Sequence, residues 1–588
     1  MWADTQDGWF SSTSINQFSV RAGGGVVFAT SGAGMTLDGA PVLTSGSGSG
    51  LTIEQNSNGA PNLIGGSPVN FVAGGVVGAT IGGGGATDLS GVSNTNSVTA
   101  NFGTVGGGYG NMVTAIRATV AGGSGNTASG NEAAVGGGYD NTASANYATI
   151  AGGRNNTNNA PAATIGGGAT NLASANVATV AGGYANTASA SAATVGGGSV
   201  NSASGADATV GGGDDNYADQ QGDTVAGGEY NTSDGGDAMV GGGYGNSASA
   251  NVATIGGGQY NQATASFATI GGGEYNHASA SDATVGGGAS SIASGTNATV
   301  GGGDENVASG PGAFIGGGGF DENNVQGNSA AGGASAIAGG YGNSASASYA
   351  AIGGGQNNTN SSQAGTIGGG QQNIASGQFQ ATVGGGYNNR ATNNYATVPG
   401  GGNNIAGGIC SFAAGDLAQA TDNFSFVWGD GTRTAISQAA NSFNVLATGG
   451  VYFFDGPGGV YLSNNATSWL SISDRNAKKN FQPVDTVAVL DKLAAIPIEQ
   501  WNYKWEKDDD VPNIGPMAQD FKAAFYPGRD DKGISTLEFD GVELAAIQGL
   551  NRKVEDLKSE NARLHEQNTA LEKRLQALEH IVQTLAKR

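Results

Sequence analysis

Ser473 and Lys478, five positions apart in the stretch SISDRNAKKNF (471–481), have the types and spacing for nucleophilic chemistry. A serine hydroxyl attacks a carbonyl when a neighbouring base takes its proton, and a lysine amine can be that base without any histidine. The lysine must then be neutral. Its ordinary pKa is about 10.4, so a working value near 7 needs a drop of about three units, roughly 4 kcal/mol. Burial or a nearby cation supplies such a drop. A bland reading competes, because Ser and Lys at this spacing are common in solvated turns. Spacing does not fix the directions of the neighbouring Asp474 and Lys479.

The pair stands where the chain changes character. Lys478 is the first lysine in 588 residues. Residues 1–470 hold 25 Asp and Glu against five Arg, a net of −20, whereas 471–588 hold 20 acidic and 17 basic residues, a net of −3. An acidic body repels phosphate backbones, so nucleic acid is not an expected partner. Cys410 is the single cysteine, and His277, His565 and His580 are scattered. An intrachain disulfide is therefore excluded, and a Cys/His zinc site or a histidine triad is disfavoured; no metal or cofactor is expected. No apolar run reaches the length of about 18 residues that suggests a membrane helix, so membrane insertion is not expected. The start, MWADTQDGWF, lacks the basic and apolar regions of a signal peptide. Export is expected to use another route, or a longer precursor.

The chain carries 110 glycines. Glycine-rich sequence is disordered or repetitive, and the period decides. ATVAGGSGNTASGNE (118–132), AAVGGGYDNTASANY (133–147) and ATIAGGRNNTNNAPA (148–162) repeat every 15 residues. Val or Ile keeps this phase from Val105 to Ile315, steps by 22 to Ile337, and continues through Ile352, Ile367, Val383 and Val398, with Ile81 as an earlier, looser copy. FDENNVQ (320–326) and the stretch around 86–100 read as inserted loops. Gly fills the second and third positions after the Val or Ile. Asn fills the sixth from Asn111 to Asn306, with Ser291 the exception. Asn tolerates the left-handed backbone region. Each repeat thus reads as a strand (A-T-V), a Gly-Gly-x-x-Asn turn, a second strand (T-A-S) and a second turn. Stacked coils share a backbone ladder and a Val/Ile column. Twenty-odd coils at about 4.8 Å make a rod of roughly 100 Å. One or two apolar side chains per coil make a thin core, so chains are expected to pack together as a closed cyclic oligomer.

NTASANYATIAGG (141–153) resembles the head repeat of trimeric autotransporter adhesins, N-x-A-S-G-x-x-A-x-x-x-G, over about 79–415. The resemblance implies a left-handed parallel β-roll with three chains side by side. Those adhesins anchor through a membrane barrel; this chain ends in LAKR without such strands, so that anchoring is not expected. NQFSVRAGGGVVF (16–28) matches NSFNVLATGGVYF (441–453), and each reads as a hairpin around a Gly turn. CSFAAGDLAQATDNFSFVWGD (410–430) resembles the closing coil of an adhesin head. Asp214/Asp215 and Asp304/Glu305 read as solvated turns rather than calcium ligands. The column Thr104, Thr119, Thr149, Thr164 reads as a packing ladder, with ice or glycan binding as the alternative.

The stretch S-D-x-x-x-K at 473–478, WNYKWE (501–506), GPMAQD (515–520) and DGVELAAIQGLNRKVEDL (540–557) occur in the order found in the endosialidase-type intramolecular chaperone domain of phage tail spikes and fibres and of myelin regulatory factor. The chain resembles that family over about 471–560. Asn476-Ala477 stand where the family often has Arg-Leu, and Asn513 where a histidine is common. The resemblance implies a domain that trimerises, helps the upstream rod fold, and then cuts itself off. It assigns Ser473 as nucleophile, Lys478 as base and Ile472–Ser473 as the cleaved bond.

At the end of the chain, Ile547, Leu550, Val554, Leu557, Asn561, Leu564, Asn568, Leu571, Leu575, Leu578, Val582 and Leu585 alternate spacings of three and four. This predicts a parallel coiled coil whose two asparagines fix register. The heptads allow a dimer or a trimer; three is implied by the resemblances. The expected divisions are an N-terminal β segment (1–78), β-roll repeats (79–415), a capping coil and second hairpin repeat (416–470), a self-cleaving chaperone domain (471–545) and the coiled coil (546–588). The expected protein is a mainly β homotrimeric rod with a small α+β domain. It would serve as an adhesin-like or tail fibre, extracellular or on a virion, for a cell-surface or glycan receptor. A glycan-degrading spike is the alternative, but the repeats offer no convergent carboxylate pair. An ice-binding roll is a minor one.

Overall fold

The computed structural model describes residues 50–588 apart from 87–93, 322–323 and 457, together with strand segments at 2–3, 20–21, 35–37 and 40–43. Two compact units result, Met1–Leu446 and Ala447–Arg588. The repeat copy at 16–28 lies outside the described residues, except that Val20–Arg21 pairs in parallel with Trp2–Ala3.

Each 15-residue coil contributes two strands of two residues, such as Thr119–Val120 and Thr127–Ala128. Glycine-rich turns interrupt anything longer. Strands pair in parallel with their counterparts one coil away, as in Thr104↔Thr119↔Ala134 and Met112↔Thr127↔Thr142. A single bridge per coil, Tyr109↔Ser124↔Tyr139, adds a third line of contact. The product is a parallel β-solenoid of about 25 turns. Side chains alternate along each strand, so Val120 and Ala128 point into the coil while Thr119 and Thr127 face outward.

The core is fuller than one or two apolar residues per coil. Ala118, Val120, Ala128 and Asn126 are all fully buried. The asparagine is not the left-handed turn residue that its type suggested. Asn126 Nδ2 donates to the carbonyls of Gly122 (2.9 Å) and Gly138 (3.0 Å), and Asn126 Oδ1 accepts from N and Nδ2 of Asn141, both at 3.0 Å. The buried amide of each asparagine needs partners, and the half-exposed glycine carbonyls and the next asparagine supply them. Asn carries a donor and an acceptor at the reach required, so it forms an internal ladder. Positive φ falls on the residue before it, as at Asp140 (51°), Asn155 (55°) and Thr170 (59°), and on a second corner that includes Tyr147 (62°) and Val177 (61°).

The parallel ladder begins upstream of the sequence repeat, at Asn62–Gly66, on which Gly50–Glu54 lies antiparallel. The insert at 320 forms a two-strand hairpin, Phe320–Asp321 with Asn324–Val325, while Ile315↔Ile337 keeps the ladder in register. Toward the C-terminal end the strands lengthen to nine residues in Phe412–Ala420 and eleven in Phe426–Ile436, followed by Phe443–Leu446. The repeat at 441–453 does not close a hairpin. Phe443–Leu446 pairs in parallel with Phe426–Ile436, whereas Val451–Asp455 pairs antiparallel with Gly458–Leu462.

In the second unit, Leu470–Ser471 completes that antiparallel sheet. Helix α1 spans Thr486–Ala494, α2 spans Ala518–Phe525 and α3 spans Thr536–Ala586. Asp485 caps α1, accepting from Val487 N and Ala488 N at 3.1 Å. Ser535 and Glu538 form a capping box at the start of α3. Phe521, Ile496 and Val542 form the core. α1 crosses α3 at Gly549, where a Cβ would lie 2.1 Å from the Thr486 carbonyl oxygen. α3 is 51 residues long and carries the whole heptad series.

Candidate functional site

The chain leaves the antiparallel sheet at Ser471 and enters a single 3-10 turn, Arg475–Ala477, capped by the Asp474 carboxylate. Asp474 Oδ1 accepts from Asn476 N at 2.9 Å and from Asn476 Nδ2 at 3.2 Å. That turn folds the chain back so that Lys478 Nζ donates to Ser473 Oγ at 2.7 Å. The two residues picked out by spacing are therefore in direct contact. Asp474 and Asn476 hold the turn that makes the contact, a role that spacing did not assign. The Arg475 guanidinium sits over the Phe481 ring at 5.1 Å.

Ser473 and Lys478 are both exposed and Ile472 is half-buried. Base action needs the neutral amine, which water disfavours and burial favours.

The remaining motif residues form their own structure. Glu499–Trp501 and Asn513–Gly515 pair as a hairpin with Trp501 opposite Asn513. Trp501 meets the Tyr503 ring edge to face and Tyr503 stacks on Trp505, with ring centroids 4.8 and 4.4 Å apart. The hairpin presents Trp505, Val511 and Ile514 to solvent, Val511 at 90% exposure. Asp520 lines an open cleft of about 440 Å³ with Lys492, Ile496, Pro497 and their neighbours, apart from Ser473 and Lys478.

α2 and α3 are joined by a charge cluster that the motif reading missed. Glu538 pairs with the buried Lys522 and, at 2.6 Å, with Arg529. Both cations lie over the Tyr526 ring, at 5.4 and 4.8 Å. Lys522 above all, then Arg529 and the backbone N–H of Ser535, hold the Glu538 carboxyl down to about 2, against some opposing desolvation. Its sequence signal was the capping box S-T-L-E (535–538).

Ile547, Leu550, Val554, Leu557, Leu564, Leu571, Leu575, Leu578, Val582 and Leu585 form an exposed stripe on α3. α1 covers a different face of the helix, through Val542, Ala546 and Gly549. Among the described residues, no group of three or more His, Cys, Asp or Glu can hold a metal ion. None of the described helices is long and apolar enough to cross a membrane.

The protein family described as chaperone of endosialidase matches residues 473–528, so the match begins at Ser473 itself. A search of curated proteins found no match. A β-solenoid followed by a segment that matches this chaperone family fits a fibre protein with a C-terminal chaperone.

Proposed function

We propose that this chain is a homotrimeric fibre protein of tail-fibre or adhesin type. In this reading its C-terminal unit brings three chains together, templates the rod and then cuts itself off at Ile472–Ser473. The observation that carries the reading is the 2.7 Å contact between Lys478 Nζ and Ser473 Oγ at the first residue of the family match. The exposed α3 stripe supports association, because an apolar seam of this length in water is stable only against other helices.

The chemistry follows from covalent geometry. Ser473 Oγ attacks the Ile472 carbonyl carbon as neutral Lys478 takes the hydroxyl proton. The C–N bond breaks and the proton passes to the departing Ser473 nitrogen. The resulting ester between Ile472 and Ser473 is hydrolysed by water. In one chain Lys478 faces solvent; packing of three chains around the site supplies the dry surroundings that a neutral amine needs. Cleavage then follows assembly. A rod of long-range parallel pairs folds slowly and mispairs easily, and loss of its nucleus afterwards leaves it kinetically trapped.

The test is order of removal. A chain ending at Ile472 from the start should aggregate, whereas a rod that has already folded should keep its shape and oligomeric state after loss of 473–588. Normal folding of the truncated chain would refute the chaperone role.

A further inference from the structure

At the C-terminal end of the solenoid, three phenylalanines stack outside the core. Phe412, Phe426 and Phe443 occupy one register column, with ring centroids 5.0 and 4.6 Å apart. Phe443 is 66% exposed. Trp428 and Val445 flank them on the same side of the sheet, two residues along each strand. Such a patch on the surface of a soluble rod calls for a partner.

The column continues up the rod. Thr397 pairs with Phe412, and the positions above it are mostly threonine, back to Thr104. This sheet face differs from the others in charge. From Thr104 to Thr397 the outward position before each buried Val or Ile is uncharged, and the three positions after it are Gly, Ala or Pro399. The charges go elsewhere. Asp214, Glu229 and Glu274 lie on the bridge edge, and Arg390 lies in the second strand.

In part of the coils, glycine on this face also exceeds what one chain requires, whereas at the same repeat position Gly137, Gly167, Gly197 and Gly212 hold φ between 149° and 157°. At Gly107, Gly122, Gly182 and Gly302 φ is not positive, and an added Cβ would meet no atom within 4 Å. Neither backbone conformation nor contact within the chain excludes a side chain there. Close approach of another backbone would.

We infer that this sheet face, with the phenylalanine stack at its end, is turned toward the axis of the oligomer and is covered by further copies of the same chain. The inference rests on the trimer reading and adds which surface forms the contact. Acidic chains packed side by side can approach only through an uncharged face. About twenty coils at about 4.8 Å, four residues wide, present roughly 1,200 Å² per chain, or about 600 Å² toward each of two neighbours in a trimer, approaching the ~800 Å² per partner of a standard stable interface. The bridge edge, with its charges and its run of Tyr230, Tyr244, Tyr260 and Tyr275 in ring contact, is left facing solvent.

The test uses the full chain carrying Cys410→Ser, with single cysteines at Thr209 on the proposed face or Ser202 on the second strand. Native mass is measured first. In a trimer, Thr209→Cys should cross-link between chains on oxidation and react with maleimide about tenfold more slowly than Ser202→Cys, as expected for a water-excluding contact. Thr269→Cys and Ser247→Cys repeat the comparison in case one variant misfolds. A trimer with the opposite pattern, or with equal reactivity at both faces, overturns the face assignment and leaves the trimer standing. A monomeric parent refutes both readings.

Discussion

Gly549→Ala separates packing from helix propensity, because the two predict opposite signs. In the interior of α3, alanine is favoured over glycine by about 1 kcal/mol. The structure places the new Cβ 2.1 Å from the Thr486 carbonyl oxygen, 2.7 Å from its carbon and 3.1 Å from Val487 N. All three are backbone atoms at the start of α1, so no side chain can swing away. Overpacking of this kind costs about 1–3 kcal/mol, and rigid backbone on both sides puts it at the upper end. The expected net loss is about 2 kcal/mol, or roughly 7 °C in melting temperature for a unit of this size. Gly541→Ala is the internal control. It lies in the same helix, its Cβ would meet nothing within 4 Å, and it should gain up to about 1 kcal/mol. Among the described residues every α-helix lies at or after Thr486, so thermal unfolding followed by helical circular dichroism reads this unit alone. If Gly549→Ala melts at or above the parent temperature while Gly541→Ala shows its gain, the close crossing of α1 and α3 is wrong.

Three further outcomes follow. Asn201→Ala takes a donor from the carbonyls of Gly197 and Gly213, the second of which keeps Ser199 N, and the acceptor from the buried Asn216 N; at about 1–3 kcal/mol for that buried unpaired N–H, hydrogen exchange should speed up in the adjacent coils and stay unchanged in distant ones. Glu538 titrates lower in the folded unit than in the unfolded chain, so its stabilisation is full above pH about 4.5 and is lost as pH falls toward about 2. Glu538→Gln should lower the melting temperature at neutral pH and flatten the acid dependence in that window; an unchanged acid profile would contradict the ion-pair assignment. Lys478→Arg should abolish self-cleavage as fully as Lys478→Ala, since a guanidinium is never neutral in a protein, while helix melting stays at the parent value.

The solenoid was legible because its signals are periodic. Val and Ile at every fifteenth residue fixed the coil, and the Gly-Gly pair fixed its first turn. The role of Asn126 and its equivalents was not legible, because a turn residue and a buried ladder residue share the same type and place in the repeat. Only the coil geometry shows two glycine carbonyls within its reach. Thr170 and Val177 at positive φ were equally hidden, since β-branched residues avoid that region in isolation. The strand fates of 441–453 turned on partners beyond the motif, which alternation alone does not specify. Ser473 and Lys478 were visible as a spacing. Their contact depends on the turn capped by Asp474, a local hydrogen-bond pattern that S-D-x-x-x-K carries but does not announce. Lys522, Arg529 and Glu538 come from two elements, and only the capping-box half of that cluster was written contiguously.

The central claim is self-cleavage by the Ser473–Lys478 pair, and mass spectrometry of the expressed full chain tests it most directly. Under denaturing conditions the parent should give two species, one ending at Ile472 and one spanning 473–588, whereas Ser473→Ala and Lys478→Ala should each give a single intact chain. A parent that assembles yet stays whole, or an Ser473→Ala chain that is still cut at the same bond, would contradict the account.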